Sequence, residues 1–535
     1  MSIKDLSSTR NRIIPGTLST LRIRMSVNWR SWDRAVVARV VGILIVTAVA
    51  IGLRVWRLNQ LGYNTDEAVY AGQAAAIAKD PTLKEIFPIF RAHPLLFQFV
   101  LALVFAFGVS DIAGRFAAVA IGLATVYLAY RVGKLLYGEK AGLLAGLFLA
   151  LMPYHVIVSR QVLLDGPLVF CTTLTLFFLA RYAMTHRPAW IFLTGVGMGL
   201  TFLAKETGII MLGAVYAFVA ISREIRVRIN HLILSTVLMI LMIAPFPLSL
   251  MLAGGTRSGK NYLVWQLFRR PNHPWEFYPS TVPEAIGFLV ILAALLGLWF
   301  LRYEKSWRER LLLCWIIVPA TFFQLWPTKG FQYLLPIAPP IAVLAGRAIA
   351  RWWPEDILLL KKRIRISRAW IKTSTVGMIA LSLLVLSVQI ISPGTSGTFV
   401  AGTGGVPGGR EAGKWVQENI PAGSTLMTIG PSMANIMQFY GHRQAYGLSV
   451  SPNPLRRNPS YPPILNPDLQ IRNGDIQYIV WDSYSAERSA FFSGSLLKFA
   501  KRYHGRVIHA ESVKVILPDG SSVDKPVIII YEVRP

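Results

Sequence analysis

The sequence predicts a polytopic α-helical membrane protein that ends in a small soluble α/β domain. Of its 535 residues, 53% are hydrophobic and only 15% are charged, whereas soluble globular chains have roughly 25% charged residues. Apolar runs recur from Val36 to Ile391, too many for the core of a water-soluble protein. Beyond Ile391 the pattern changes to short amphipathic segments.

About eleven segments have the length that a helix needs to cross a hydrocarbon core of roughly 30 Å. They are 35–56, 112–134, 141–159, 166–184, 189–204, 207–221, 231–253, 284–301, 311–326, 331–350 and 371–391. The apolar segment Pro94–Gly108 is shorter. Counting it as a span would place Asp66 and Asp165 on opposite faces of the membrane. It is therefore predicted to be an interfacial helix, and an ordinary short span is the alternative.

The net charge of +28 is dispersed among the loops between these spans. With the N-terminus inside, every strongly basic loop falls on the cytoplasmic side, as the positive-inside rule expects. This dispersal argues against nucleic-acid binding. The predicted organisation is a basic cytoplasmic segment (1–34), a transmembrane domain (35–391) whose first outer loop is 57–111, a linker (392–409) and an extracytoplasmic domain (410–535). The predicted location is the plasma membrane.

The C-terminal segment alternates predicted helices and strands, which indicates a small α/β domain. The predicted helices are Glu411–Ile420 and Ser485–Arg502, and the predicted strands are Thr425–Ile429, Ile476–Trp481 and Val527–Val533. A proline-rich loop, Pro452–Pro467, lies between them.

Four predicted outer loops carry ionisable residues beside helix ends, where such groups are functional candidates. They are Asp66, Glu67, Arg91 and His93 in the first loop, Arg160 and Asp165 in the second, Lys205 in the third and Lys329 in the fifth. Each also has a structural interpretation. Arg160 and Lys205 could snorkel to the interface, Asp165 could be an N-cap residue, and the first-loop acids could be solvated. Their common side favours a shared function.

Carboxylates and cations at one membrane face suit transfer of a sugar from a lipid phosphate. Lys and Arg would stabilise the phosphate leaving group, and a carboxylate would deprotonate the acceptor hydroxyl. The aromatic and basic loop Gly254–Pro283 is expected to cover this site. An interfacial aromatic belt is the alternative for that loop.

Four motifs resemble the GT-C superfamily of glycosyltransferases, in particular the protein O-mannosyltransferases and lipid A aminoarabinose transferases. The motifs are Asp-Glu at 66–67, His-Pro-Leu-Leu at 93–96, Ser-Arg-x-x-Leu-Leu-Asp at 159–165 and Lys-Glu-Thr-Gly at 205–208. The resemblance is strong over about residues 35–220, looser to about 350, and does not extend to the C-terminal domain. It implies inverting enzymes that use polyprenyl-phosphate sugars at the outer face.

The same resemblance implies roles for individual residues. Asp66 would be the general base and Asp165 a second active-site acid, while Lys205 and the pair Arg91 and His93 would contact the donor phosphate. The aminoarabinose transferases have Lys where this chain has Arg91 or His93. The family often has Arg-Tyr where this chain has the segment from Lys329 to Tyr333. A role for Lys329 at the donor phosphate is therefore implied only by analogy.

The sequence therefore predicts an inverting glycosyltransferase that moves a sugar to a hydroxyl of an extracytoplasmic protein, lipid or glycan. The remaining predicted site residues are Glu67 as a third catalytic acid, Arg160 at the donor phosphate, and Tyr63, Glu206, Gln332 and Tyr333 lining the substrate. The sequence identifies no certain cofactor and leaves metal dependence open, since Asp66 and Glu67 could hold a divalent ion. The alternatives are a lipid-linked-sugar flippase, for which paired repeats would be expected, and a non-catalytic assembly subunit.

Overall fold

The computed structural model of the chain describes residues 34–88, 93–252, 265–266, 269–299, 301–304, 306–351, 357–359, 364–392, 406–516 and 521–535. The chain divides into two compact units, Met1–Leu44 and Ile45–Pro535. The described part of the first unit, residues 34–44, is helical. All contacts described below lie within the second unit.

Helices dominate the described residues up to 392. They are α1 (Arg34–Val55), α2 (Thr65–Ile77), α3 (Leu83–Ile86), α4 (Leu96–Phe105), α5 (Asp111–Tyr137), α6 (Glu139–Leu151), α7 (Pro153–Val158), α8 (Asp165–Thr185), α9 (Pro188–Ala204), α10 (Ile210–Ile221), α11 (Ile229–Ile243), α12 (Pro245–Leu252), α13 (Phe277–Ile286), α14 (Phe288–Trp299), α15 (Leu301–Glu304), α16 (Trp307–Leu325), α17 (Ala338–Arg351) and α18 (Arg368–Ile391). Two 3₁₀ helices, Glu206–Ile209 and Phe331–Ile337, precede α10 and α17. A short antiparallel hairpin of β1 (Ile357–Leu359) and β2 (Ile364–Ile366) lies between α17 and α18.

Five helical segments of the described chain are long and apolar enough to cross a membrane, or six if the pair α13 and α14, bent by 93°, counts as one span. The five are Asp111–Tyr137, Asp165–Thr185, Ile229–Leu252, Phe331–Arg351 and Ala369–Ile391. The predicted count of eleven is not confirmed by these helices. The segment predicted as one span at 141–159 breaks between α6 and α7, where Pro153 begins a new helix. The segment Pro94–Gly108 contains only the ten-residue helix α4.

Glycines allow α5, α6 and α17 to approach closely. Gly138, with φ of +92°, is the single residue that joins α5 to α6, a backbone conformation that favours glycine. A Cβ on Gly142 would lie 2.6 Å from the carbonyl oxygen of Tyr130, and one on Gly346 would lie 2.6 Å from that of Ala141. Small residues at such contacts are typical of helix packing in membranes.

A five-stranded sheet forms the centre of the C-terminal region, residues 406–535. Its strands are β3 (Thr425–Thr428), β4 (Gln444–Gly447), β5 (Tyr478–Asp482), β6 (Arg506–Ile516) and β7 (Ser522–Glu532), in the order β4-β3-β5-β7-β6. Strand β3 is parallel to both neighbours, whereas β7 is antiparallel to β5 and β6. The helices are α19 (Gly409–Asn419), α20 (Pro431–Gly441), α21 (Pro467–Arg472), α22 (Ser483–Arg488) and α23 (Ala490–Arg502).

The three predicted strands and the helix predicted at Glu411–Ile420 are present. The helix predicted at Ser485–Arg502 is instead broken at Ser489 into α22 and α23. The predicted linker 392–409 lies largely outside the described residues, so the domain boundaries stay predictions.

The C-terminal region packs against the segment 57–111, which was predicted to be the first outer loop and keeps that name below. The Tyr440 hydroxyl donates to Asp111 Oδ2 at 2.6 Å, and Arg410 Nε lies 3.0 Å from the same oxygen. One apolar core continues from α2 into α20, and it includes the buried residues Ala68, Ala71, Met433 and Met437. This contact brings part of the C-terminal region to the loop that carries Asp66.

Candidate active site

The start of α2 decides which of the two adjacent acids faces a cavity. Asn64 is the N-cap residue, and its Oδ1 accepts from the backbone N–H groups of Asp66 and Glu67, both at 3.0 Å. The Glu67 carboxylate accepts in return from the N–H of Asn64 at 3.0 Å. This reciprocal pair is a capping box, and it turns Glu67 back against the protein.

Glu67 is fully buried. Its two oxygens accept from Arg115 Nε and Nη2 at 3.0 and 2.9 Å, and its Oε1 also accepts from the N–H of Val162 at 3.0 Å. Glu67 therefore ties the first outer loop to α5 and to the segment before α8. It does not line the cavity described below.

Asp66 is half-buried and lines a large cavity. Burial raises the pKa of Asp66 above its ordinary value, while the charge of Lys205 acts in the opposite direction. A carboxylate with a raised pKa is a stronger base than an ordinary aspartate.

Lys205 follows α9 and is held in place from two directions. Its Nζ donates to both oxygens of Asp165 at 2.9 Å, and both side chains are almost completely buried. The same Nζ lies 4.8 Å from the centre of the Tyr333 ring, within the range of a cation–π interaction. Asp165 does not itself line the cavity, so it acts on the cavity through Lys205.

His93 and Glu206 form a second pair on the cavity wall. His93 Nδ1 lies 2.8 Å from Glu206 Oε2, which joins the first outer loop to the 3₁₀ helix before α10. The Tyr70 ring lies edge-on to the His93 ring, with centroids 6.2 Å apart.

The cavity has a volume of about 1160 Å³. Its polar wall comprises Asp66, Tyr70, His93, Lys205, Glu206, Arg269, Gln332 and Tyr333. An apolar wall comes mainly from α11, α12, α16 and the start of α10, and includes Ile210, Ile243, Phe246, Leu250, Met251, Phe322 and Trp326. The C-terminal region contributes lining residues that include Ser449, Arg456, Arg457, Asn458 and Tyr461. The cavity lining therefore combines charged and apolar side chains and comes from both parts of the chain.

Six of the predicted site residues meet at this cavity: Asp66, His93, Lys205, Glu206, Gln332 and Tyr333. Arg91 lies outside the described residues. The predicted loop Gly254–Pro283 is described only in part, and its Trp265, Gln266 and Arg269 line the cavity.

The structure places three other predicted residues away from the cavity. Arg160 Nη1 donates to the carbonyl oxygens of Leu53 and Arg54, at 2.7 and 3.1 Å, so it caps the end of α1. Lys329 Nζ lies 5.7 Å from the centre of the Trp275 ring. The Tyr63 hydroxyl donates to the carbonyl oxygen of Asp111 at 3.1 Å.

Sequence reasoning missed Arg456, Arg457 and Tyr461. They lie in the proline-rich loop Pro452–Pro467 of the C-terminal region. The pair of adjacent arginines among prolines was the signal available in the sequence. Of the described ionisable side chains on the cavity wall, four are Lys or Arg and two are Asp or Glu, so the cavity favours anionic ligands.

A divalent ion shared by Asp66 and Glu67 is not supported by the geometry, because both Glu67 oxygens already accept from Arg115 and backbone N–H groups. Within the described residues there is also no group of three or more His, Cys, Asp or Glu side chains placed to hold a metal ion.

The chain is similar to known glycosyltransferases in sequence and in fold. The family model for dolichyl-phosphate-mannose-protein mannosyltransferases matches residues 92–248, and that for the Alg9-like mannosyltransferase family matches residues 272–399. An undecaprenyl phosphate-alpha-4-amino-4-deoxy-L-arabinose arabinosyl transferase of Pectobacterium carotovorum is 25% identical over 307 residues, 54% of this chain and 53% of that protein. The enzyme of the same name from Aeromonas salmonicida is 27% identical over 310 residues, 54% of each chain. The chain thus matches about half the length of these curated relatives.

Solved structures show the same fold over nearly the whole chain. The apo crystal structure of ArnT from Cupriavidus metallidurans superposes with a TM-score of 0.66 at 16% identity, covering 93% of this chain and 97% of that one. The Archaeoglobus fulgidus oligosaccharyltransferase gives 0.57 at 13% identity, covering 91% and 74%.

The chain is thus a multi-pass membrane protein with the GT-C fold. The predicted resemblance to GT-C enzymes that use polyprenyl-phosphate sugars is confirmed, and the proteins that the chain resembles include ArnT and the arabinosyl transferases. These matches do not favour the flippase alternative.

Proposed function

We propose that this protein is an inverting glycosyltransferase that moves a sugar from a polyprenyl-phosphate donor to a hydroxyl of an extracytoplasmic acceptor. One observation supports this function above all. A single cavity joins the half-buried carboxylate of Asp66, the fixed ammonium of Lys205 and an apolar wall. A lipid-linked sugar phosphate needs an apolar surface for the lipid and a cation for the phosphate. Its acceptor needs a base.

The donor would lie with its lipid along α11 and α12 and its phosphate at Lys205. An ammonium group has three N–H donors, and Asp165 receives hydrogen bonds from Lys205 at two oxygens. A further N–H can point to a phosphate oxygen and stabilise the negative charge that grows as the sugar–phosphate bond breaks. Asp165 would then position Lys205. His93, which also lines the cavity, would be a second contact to the phosphate.

Asp66 would remove the proton from the acceptor hydroxyl while the hydroxyl oxygen attacks the anomeric carbon. In a single displacement the acceptor attacks from the face opposite the phosphate, so the anomeric configuration inverts. The raised pKa of Asp66 suits this step, because a general base works best when its pKa lies near the working pH.

The acceptor would enter beside the C-terminal region, where Arg456 and Arg457 form part of the cavity wall. The distribution of basic loops supports a cytoplasmic N-terminus and an extracytoplasmic C-terminal domain. We retain the eleven-span topology, with α4 in the outer interface, as part of this proposal. The names of the relatives support undecaprenyl phosphate as the lipid and a pentose as the first sugar to test.

Purified protein in lipid nanodiscs, incubated with a panel of polyprenyl-phosphate pentoses and hexoses and an outer-membrane lipid and glycan extract, tests this proposal. Mass spectrometry should detect one sugar added to an acceptor, and NMR should show an inverted anomeric configuration. The Asp66→Asn protein is the matched control. Retention of configuration, or equal product from the control, would contradict the proposed reaction.

A further inference from the structure

The turn that carries Asp66 is held from two sides. Towards the segment before α8 and towards α5, Asn64 Nδ2 donates to Gln161 Oε1 at 2.9 Å, and Glu67 accepts from Arg115. On the other side, Thr65 Oγ1 accepts from Asn435 Nδ2 at 2.9 Å. Asn435 belongs to α20 of the C-terminal region, 370 residues further along the chain.

Asn435 is 2% exposed, so its amide N–H groups depend on protein partners. Besides Thr65, Asn435 Nδ2 also lies 3.5 Å from the hydroxyl of Tyr461, which is a residue of the cavity wall. The amide therefore lies between the residue next to Asp66 and the loop that we assign to the acceptor.

We propose that Asn435 is a positioning residue, which fixes the first turn of α2 through Thr65 and thereby sets the place of the Asp66 carboxylate. This inference rests on the proposed function, in which Asp66 is the general base. Asn64, Thr65 and Glu67 are each hydrogen-bonded to a different neighbour. Among these four consecutive residues, only Asp66 lines the cavity. The contacts on either side of Asp66 thus decide where its carboxylate points.

The consequence is that the C-terminal region takes part in catalysis as well as in acceptor binding. A general base must lie within about 2.6–3.2 Å of the proton that it removes, and a misplacement of about 1 Å can lower a rate by about a hundredfold. Removal of one neutral hydrogen bond at the turn should therefore change kcat more than it changes the affinity for the donor.

Thr65→Val and Thr65→Ser test this inference as a matched pair. Valine keeps the shape of threonine without the hydroxyl, whereas serine keeps the hydroxyl. We expect Thr65→Val and Asn435→Ala each to lower kcat about tenfold or more, with unchanged binding of undecaprenyl phosphate. Thr65→Ser should restore most of kcat. The double variant should be no slower than the slower single variant, because both changes remove the same contact.

Thr82→Val is the control for damage to the contact between the two regions. Thr82 Oγ1 lies 2.9 Å from His442 Nδ1, so this change also removes a bond between the first outer loop and the C-terminal region, but away from α2's first turn. It should leave kcat unchanged. Equal losses in Thr82→Val and Thr65→Val, or normal turnover in Thr65→Val, would overturn the positioning role.

Backbone hydrogen exchange of residues 61–72 supplies a readout that needs no turnover. Thr65→Val and Asn435→Ala should speed exchange there, and Thr65→Ser should not. If the wild-type protein is inactive but the variants show this exchange pattern, the result would contradict the proposed function and support the role of Asn435 in fixing the turn. If the wild-type protein is active and exchange is unchanged in Thr65→Val and Asn435→Ala, the result would contradict the positioning role alone.

Discussion

The change Glu67→Gln should destabilise the protein, whereas the neighbouring change Asp66→Asn should not. Glu67 is fully buried and accepts four hydrogen bonds, two from Arg115 and two from the backbone N–H groups of Asn64 and Val162. Glutamine has the same shape but only one acceptor oxygen. Its NH₂ group would face N–H donors in either orientation.

The magnitude follows from the ion pair. Loss of one partner of a buried pair costs about 3–5 kcal/mol, and each hydrogen bond to a charged group contributes about 1.5–3 kcal/mol. We therefore expect a loss of about 3–5 kcal/mol in the free energy of unfolding, which is a large share of the roughly 5–15 kcal/mol typical of folded proteins.

Thermal unfolding in detergent, followed by fluorescence-detected size exclusion, measures this loss. Glu67→Gln should show a clearly lower Tm and a smaller folded fraction, while the protein that remains folded keeps measurable transfer. Glu418→Gln, at an exposed position of α19, is the matched control and should behave like wild type. A normal Tm together with abolished transfer in Glu67→Gln would refute this reasoning and assign Glu67 to the chemistry.

Three further predictions concern the cavity. Lys205→Met should lower kcat/KM for the donor about ten- to a hundredfold through loss of about 1.5–3 kcal/mol of charge-assisted contact to the phosphate, and Lys414→Met, at an exposed position, should not. The double change Arg456→Ala and Arg457→Ala should raise the acceptor KM and leave the donor KM unchanged. If initial-rate kinetics instead show a raised donor KM and an unchanged acceptor KM, these two arginines do not bind the acceptor. Burial raises the pKa of Asp66, and only the ionised carboxylate accepts a proton. On acidification, kcat should therefore fall at a pH above the ordinary range of aspartate pKa values. A fall in kcat that begins only at or below that range would contradict the role of Asp66 as the base.

The sequence was informative about Asp66 and Lys205 because helix ends on one membrane face are close in space. It predicted Glu67 as a catalytic residue beside the general base Asp66, although a local signal separates the two. Asn64 and Glu67 have the spacing of a capping box, which turns the glutamate back towards the helix start. The partner of Glu67, Arg115, lies in α5 and could not be recognised without the packing of α5 on the first loop.

The missing part of the site depends on contacts between distant segments. Arg456 and Arg457 line the cavity, and Asn435 of α20 contacts α2, although all three are more than 360 residues from Asp66 in the sequence. No periodicity or motif near residue 66 indicates that contact. The breaks between short helices also could not be predicted. An apolar run predicts burial in lipid or protein, but it does not fix where a helix ends and the next begins, as happens at Pro153.

The most direct test of the central claim is single-turnover transfer by Asp66→Asn, measured beside its binding of undecaprenyl phosphate. The substitution keeps the size of the side chain and removes the charge that accepts the proton. We predict unchanged Tm, unchanged binding and a transfer rate lower by about 10²–10⁴-fold. A rate above about a tenth of the wild-type value, with binding intact, would show that Asp66 is not the general base.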